Sequence, residues 1–222
     1  MRGANLGWTV AMVAVLAGAG GCALFGAAGV IAQEARRNQT IVVQPLFDGL
    51  EGKSFAVVVE APQTLEMTYP ETVPRVTIAV AERLREHSGA TAYVPGDVSL
   101  AVVRNRPGLL MRSYTDVAEA LDGVERLVWI RLDEFRLHDA GNRYLWNGVA
   151  SGSVMVIDAE SMLDDDIIFE KAIRVTYPDI SGVSRDDQNE AEVGFELLRR
   201  FINRASWPFY AHEERHPEFQ PY

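Results

Sequence analysis

The stretch from residue 167 to residue 177 alternates without a break. Phe169, Lys171, Ile173, Val175 and Tyr177 fall on one side, and Ile168, Glu170, Ala172, Arg174 and Thr176 on the other. A period of two sustained over that length fits a β-strand with two different faces and no helix. Two more long β-patterned segments precede it. One is 126–138, centred on Leu127-Val128-Trp129-Ile130, and the other is 144–158, reached over the turn Asp139-Ala140-Gly141-Asn142. Three such segments in series predict an antiparallel meander. Gly148 and Gly152 inside the middle segment mark a bulge or a close backbone approach. Trp129 and Trp146 are expected in the core or on the sheet face.

The rest of the chain must cover that meander. Residues 55–60, with Ala56-Val57-Val58-Val59, are β-branched and nearly continuous, the pattern of a strand buried on both faces. A shorter apolar run, 41–47, precedes it across the turn-rich spacer Asp48-Gly49-Leu50-Glu51-Gly52. Thr72 is placed to cap a helix whose first turn holds Pro74. Val73, Val76, Val80 and Leu84 follow at helical spacing, and Gly89 stops it. A short strand over 91–94 ends at Pro95-Gly96, and 97–106 carries only a weak helical pattern. Ser113 and Asp116 have capping-box spacing ahead of Val117, Ala120, Leu121 and Val124. A closing helix over 190–205 presents Ala191, Gly194, Phe195, Leu198, Phe201, Ile202 and Ala205 as its apolar stripe. The order βαβ, helix, meander, helix predicts an α/β (α+β) sandwich built on a mixed β-sheet.

The N-terminus follows another logic. Residues 1–21 carry one charge, Arg2, then the apolar heart from Trp8 to Ala17 and the small residues Gly18-Ala19-Gly20-Gly21 before Cys22. A short positive region, about ten apolar residues and a small-residue cleavage point describe a secretory signal. The expected organisation is a signal peptide over 1–21, a tether over 22–40, one folded domain over 41–210 and a polar tail over 211–222. Cys22 is the only cysteine, so no intrachain disulfide forms and the domain is held by packing. An uncleaved anchor competes with cleavage, because no charge falls between Leu6 and Ala32 and about 20 apolar residues span a bilayer.

Ala19-Gly20-Gly21-Cys22 resembles the lipobox of bacterial lipoproteins. In that family the signal is cut before the cysteine, whose thiol is diacylated and whose new amine is usually acylated. The resemblance implies lipid attachment, such as palmitate, at Cys22, a membrane held through the acylated N-terminus, and a place in the cell envelope facing the periplasm or the exterior. The domain layout is similar to the periplasmic domain of curli-secretion-channel lipoproteins, lipoprotein activators of penicillin-binding proteins and the N-terminal domain of the Tol-system β-propeller protein. Three segments carry that likeness: Phe55-Ala56-Val57-Val58-Val59 after a Gly-Lys turn, Gly123-Val124-Glu125-Arg126-Leu127-Val128-Trp129-Ile130, and Ser153-Val154-Met155-Val156-Ile157-Asp158-Ala159. It implies a noncatalytic role, binding or assembling with an envelope protein.

Charge narrows the remaining classes. The chain has 21 Lys plus Arg against 31 Asp plus Glu, a net charge of -10. With no basic cluster to offset it, nucleic-acid binding is not expected. His212-Glu213-Glu214-Arg215-His216 spells H-E-x-x-H, which on a helix would let two imidazoles share zinc while the glutamate activates water. Pro208 and Pro217 flank it, and a long helix there is not expected, so zinc-dependent hydrolysis stands as a distant alternative. Asp164-Asp165-Asp166 lacks calcium-loop spacing and reads as a solvated hairpin turn. Asp186, Asp187, Glu190 and Glu192 read as carboxylates gathered at the start of the closing helix. His138-Asp139 has no accompanying nucleophile motif, and the glycines at 18–21 lack the Lys-Ser/Thr of a phosphate loop. No catalytic residue, metal or cofactor is expected. Trp207, Phe209 and Tyr210 are expected to fold back as core cover.

Overall fold

The computed structural model describes residues 40–142, 144–161 and 166–215. In chain order its elements are β1 (Thr40–Val43), β2 (Ser54–Glu60), α1 (Gln63–Thr68), α2 (Thr72–His87), β3 (Ala92–Tyr93), α3 (Gly96–Asn105), α4 (Tyr114–Ala120), β4 (Arg126–Arg136), β5 (Gly148–Asp158), β6 (Ile167–Tyr177), α5 (Glu190–Ser206) and β7 (His212–Arg215). Short 3-10 turns occupy Leu109–Met111 and Trp207–Phe209. The described residues divide into two units, residues 40–42 with 213–215 and residues 43–212. β1 and β7 form a two-stranded sheet, in which the Thr40 hydroxyl donates to the Glu213 carboxylate at 3.4 Å.

The larger unit carries a five-stranded mixed sheet in the order β3-β2-β4-β5-β6. β3, β2 and β4 run parallel, and β4, β5 and β6 form the antiparallel meander expected from the sequence. Even and odd residues of β2 feed different cores. Phe55, Val57 and Val59 join Val76, Val80 and Leu84 of α2 and Val193, Leu197 and Phe201 of α5. Ala56 and Val58 join Leu109, with Val117 and Leu121 from around α4, and Trp129 of β4. A strand sandwiched between two apolar layers has no polar face to show, which is why this one reads as an unbroken β-branched run. Trp129 and Trp146 are both buried, as expected.

Local signals set the boundaries. Ser113 caps α4 by accepting from the Asp116 N–H at 3.2 Å. Asn189 does the same for α5 through the Glu192 N–H at 2.8 Å. Gly89, at φ +73°, follows the end of α2 in the left-handed conformation that suits a residue without Cβ. Thr72 begins α2 rather than capping it, since Glu71 holds the cap position. On the meander the register slips between Leu132 and Glu134, leaving Asp133 as an extra residue opposite Gly152 and Ser151. A Cβ on Gly152 would stand 1.8 Å from the Arg131 carbonyl oxygen, and one on Gly148 2.7 Å from that of Tyr177. Both glycines thus answer to close backbone approach.

Several expectations need correction. Residues 97–106, whose pattern is only weakly helical, lie almost wholly within the ten-residue helix α3, and the six-residue helix α1 carries no helical pattern that its sequence announces. The stripe of α5 is turned from the one expected. Val193 and Leu197 are buried, whereas Ala191 is exposed and Phe195 is 59% exposed. Phe195 lies about 200° around the helix from Val193, so the two cannot share a face. The middle meander strand begins at Gly148, not near Tyr144. Leu145 bridges to Ser184 and the Trp146 N–H donates to Val183 O at 3.0 Å, which draws that segment out of the hairpin.

Candidate functional site

The start of β2 is closed by a polar clasp. One Glu125 carboxylate oxygen accepts from Lys53 Nζ at 2.8 Å. Its other oxygen accepts from the Ser54 N–H at 2.7 Å and the Ser54 hydroxyl at 3.1 Å. The same hydroxyl accepts from the Glu125 N–H at 3.0 Å. Lys53 also bonds Glu160, and Arg126 meets Asp158 at 2.6 Å. The Lys53 ammonium, followed by the Ser54 N–H, holds the Glu125 carboxyl at a pKa of about 2. Both residues sit where parallel strands begin, Ser54 at the start of β2 and Glu125 just before β4, so the clasp fixes their register.

The far half of β2 is open. The Val94 N–H donates to Phe55 O at 2.9 Å, and β3 pairs with β2 only at Ser54 and Phe55. By strand alternation the backbone groups of Val57 and Val59 face the same side, where no strand follows. α2 and α3 bracket a cleft of about 200 Å³ there, lined by Val57, Val59, Val73, Ser99, Leu100 and Val103, among others, with Glu66 and Arg104 also on its wall. The helices nearly touch at one end, where a Cβ on Gly96 would lie 2.6 Å from Ile78 Cα. Ser99 is 1% exposed and its hydroxyl has no hydrogen-bond partner. Three other buried hydroxyls turn back on the helix they belong to or cap, Thr77 to Val73 O, Ser88 to Leu84 O and Ser206 to Ile202 O. An apolar recess with one free hydroxyl suits a small apolar group carrying a single polar atom. It holds no nucleophile paired with a base.

The residues singled out from the sequence do not converge on one site. Cys22, Asp164, Asp165 and His216 lie outside the described residues. His212, Glu213 and Glu214 fall on the extended strand β7 and not on a helix. His212 Nδ1 lies 3.0 Å from Tyr210 O, and its ring stacks on Trp207 at 4.5 Å. Among the described residues no three His, Cys, Asp or Glu side chains group as metal ligands. His138 Nδ1 lies 3.1 Å from the Asp139 carbonyl, while the Asp139 carboxylate takes hydrogen bonds from Asn147 and Arg136 that hold its pKa down. Asp187 accepts from the Ser184 N–H, and Glu190 and Glu192 stand in the first turn of α5. Phe209 is buried in the core and Tyr210 packs against it, whereas Trp207, expected there too, lies half-buried between His212 and Arg204. Nothing in the sequence pointed to Ser99. Its one available signal was Gly96 after Pro95, which reads equally well as the end of a strand.

No family model matches the chain. No curated protein is significantly similar to it in sequence. Among solved structures it is similar to the PelC dodecamer of Paraburkholderia phytofirmans, at 12% identity and a TM-score of 0.41, over 78% of this chain and 99% of that one. It is also similar to lipoprotein GNA1162 of Neisseria meningitidis, at 13% identity and a TM-score of 0.42, over 68% and 96%. A third is a DUF330 protein of Xanthomonas campestris, at 9% identity and a TM-score of 0.43, over 75% and 87%.

Proposed function

We propose that the chain is an exported, lipid-anchored protein of a bacterial cell envelope, attached through Cys22, with a noncatalytic binding or assembly role. The observation that carries this is Ala19-Gly20-Gly21-Cys22 placed directly after an apolar, charge-free run. Small side chains before the cysteine let a peptidase approach the backbone, and several acyl chains at one residue give a stable anchor where a single chain does not. The α2–α3 cleft offers the domain a recess for a small apolar group of a partner, with the Ser99 hydroxyl as its one polar contact.

Intact mass of the membrane-extracted protein, with peptide mapping of its N-terminus, tests the anchor. The expected species begins at an acylated Cys22, and Cys22→Ser leaves the full-length, unacylated chain. An unmodified chain from Met1 in the unsubstituted protein overturns the lipid anchor. That outcome favours the single-pass anchor suggested by the absence of charge from Leu6 to Ala32. No helix among the described residues is long and apolar enough to cross a membrane.

A further inference from the structure

The two edges of the five-stranded sheet are finished differently. At one, β3 is two residues long and α3 lies beyond it; at the other, β6 runs for eleven residues as the last strand. Hydrogen bonding at the end of β5 shows which atoms β6 leaves bare. The Ala159 N–H donates to Glu125 O, toward β4, and the Asp158 N–H donates to Asp166 O, toward β6. Even-numbered residues of β5 therefore face β6. Their partners, among them Lys171, Ile173 and Val175, bond inward. The N–H and C=O groups of Glu170, Ala172 and Arg174 then point to the open edge. Arg200 donates to Thr176 O at 3.0 Å, in keeping with that direction, and closes the strand's far end.

We propose that β6 is a self-complementary edge through which two copies of the chain pair, antiparallel, about a two-fold axis at Ala172. In that register Ala172 faces Ala172 of the second copy, and each Glu170 faces an Arg174. All three residues are exposed and point their backbone groups outward, so each of these is a hydrogen-bonded pair. Moving the axis to Glu170 or to Arg174 sets like charges directly opposite. Lys171 meets Ile173 and Phe169 meets Val175 on the other face, so no like charges oppose there. Arg174 is free to move, since its pairing with Glu134 is 3.6 Å long while Glu134 also bonds Arg136 at 2.7 Å. Charges on an edge strand ordinarily discourage pairing. Here one register converts them into two ion pairs, and two five-stranded sheets become one continuous sheet. The pairing is isologous, so it closes at two copies. It stands independently of the lipid anchor.

Cysteine crosslinking of the full chain in its membrane tests this. In the proposed pair the two Ala172 Cα atoms are about 5.5 Å apart, within the span of a disulfide. Ala172→Cys should give a covalent dimer on mild oxidation, with the 172–172 bond found by peptide mapping apart from any through Cys22. Glu170→Cys alone should not, because its two copies lie about 13 Å apart along the strands. Adding Glu170→Arg to Ala172→Cys should lower the dimer about tenfold, and adding Glu170→Arg with Arg174→Glu should restore it. Equal crosslinking at 170 and 172, none at 172, or no recovery in the charge-swapped chain would overturn the pairing.

Discussion

Strand β2 begins and ends in opposite ways. At Ser54, the polar groups of Lys53, Ser54 and Glu125 are matched to one another, and two parallel strands are locked in step. A few residues on, at Val57 and Val59, the same strand edge meets no strand, two helices stand across a cleft, and the Ser99 hydroxyl is left unpaired. Both ends are part of one strand in one core, so the contrast is not between ordered and loose regions. It separates polar groups used up in building the fold from a polar group the fold leaves over. Buried polar groups without partners are few in folded proteins, and each one asks for an explanation.

The contrast can be attacked from both ends. The largest effect is expected from Gly96→Ala, whose Cβ would press on the backbone of Ile78 at 2.6 Å and of Thr77 at 2.9 Å. Levering α3 from α2 should cost about 1–3 kcal/mol in denaturant unfolding. An unchanged midpoint would show that the helices do not meet there. At the clasp, Glu125→Gln should lower the melting temperature at neutral pH and flatten the acid limb of stability. The Glu125 pKa falls from its ordinary 4.5 to about 2 on folding. Its contribution is therefore complete above 4.5 and is lost as pH drops from 4.5 through 2. If the variant and the parent lose stability in parallel across that window, the clasp is not ionised as described. The smallest effect, and of opposite sign, is expected from Ser99→Ala. Removing a buried hydroxyl with no partner should stabilise by up to about 1 kcal/mol. A clear loss of stability would give Ser99 a partner and erase the distinction between the two ends.

Much of the fold could be read because burial repeats at fixed periods. The two-sided burial of β2, the meander and the α2 face at Val73, Val76, Val80 and Leu84 all announce themselves that way. Ser113 and Asp116 mark the start of α4 by a cap the structure contains. α3 stayed weak in the sequence because it lacks such a marker, with Pro95 at its cap position and Val98 and Ala101 exposed. Phe195 misled for another reason. Residue type argued for burial, but the sheet surface, not the helix, decides which face of α5 is covered. The cleft depends on where α2 and α3 cross, a property of neither segment alone, and so Ser99 looked like any other serine.

The single extra residue at Asp133 has a consequence beyond local geometry. Before it, even-numbered side chains of β4, Val128, Ile130 and Leu132, enter the core beneath α2 and α5. After it, the odd-numbered Phe135 and Leu137 do so. The bulge is thus a frameshift written in side-chain parity instead of codons, and it lets one uninterrupted strand obey two reading frames. Forcing a uniform frame with Asp133 still in place would turn Phe135 and Leu137 outward and drive Glu134 and Arg136 into the core, whereas deleting Asp133 would remove the bulge and leave both apolar residues inward. A one-residue deletion elsewhere in β4 would flip that parity, and it is therefore a different kind of event from one in the turn at Gly141, where no alternation is counted.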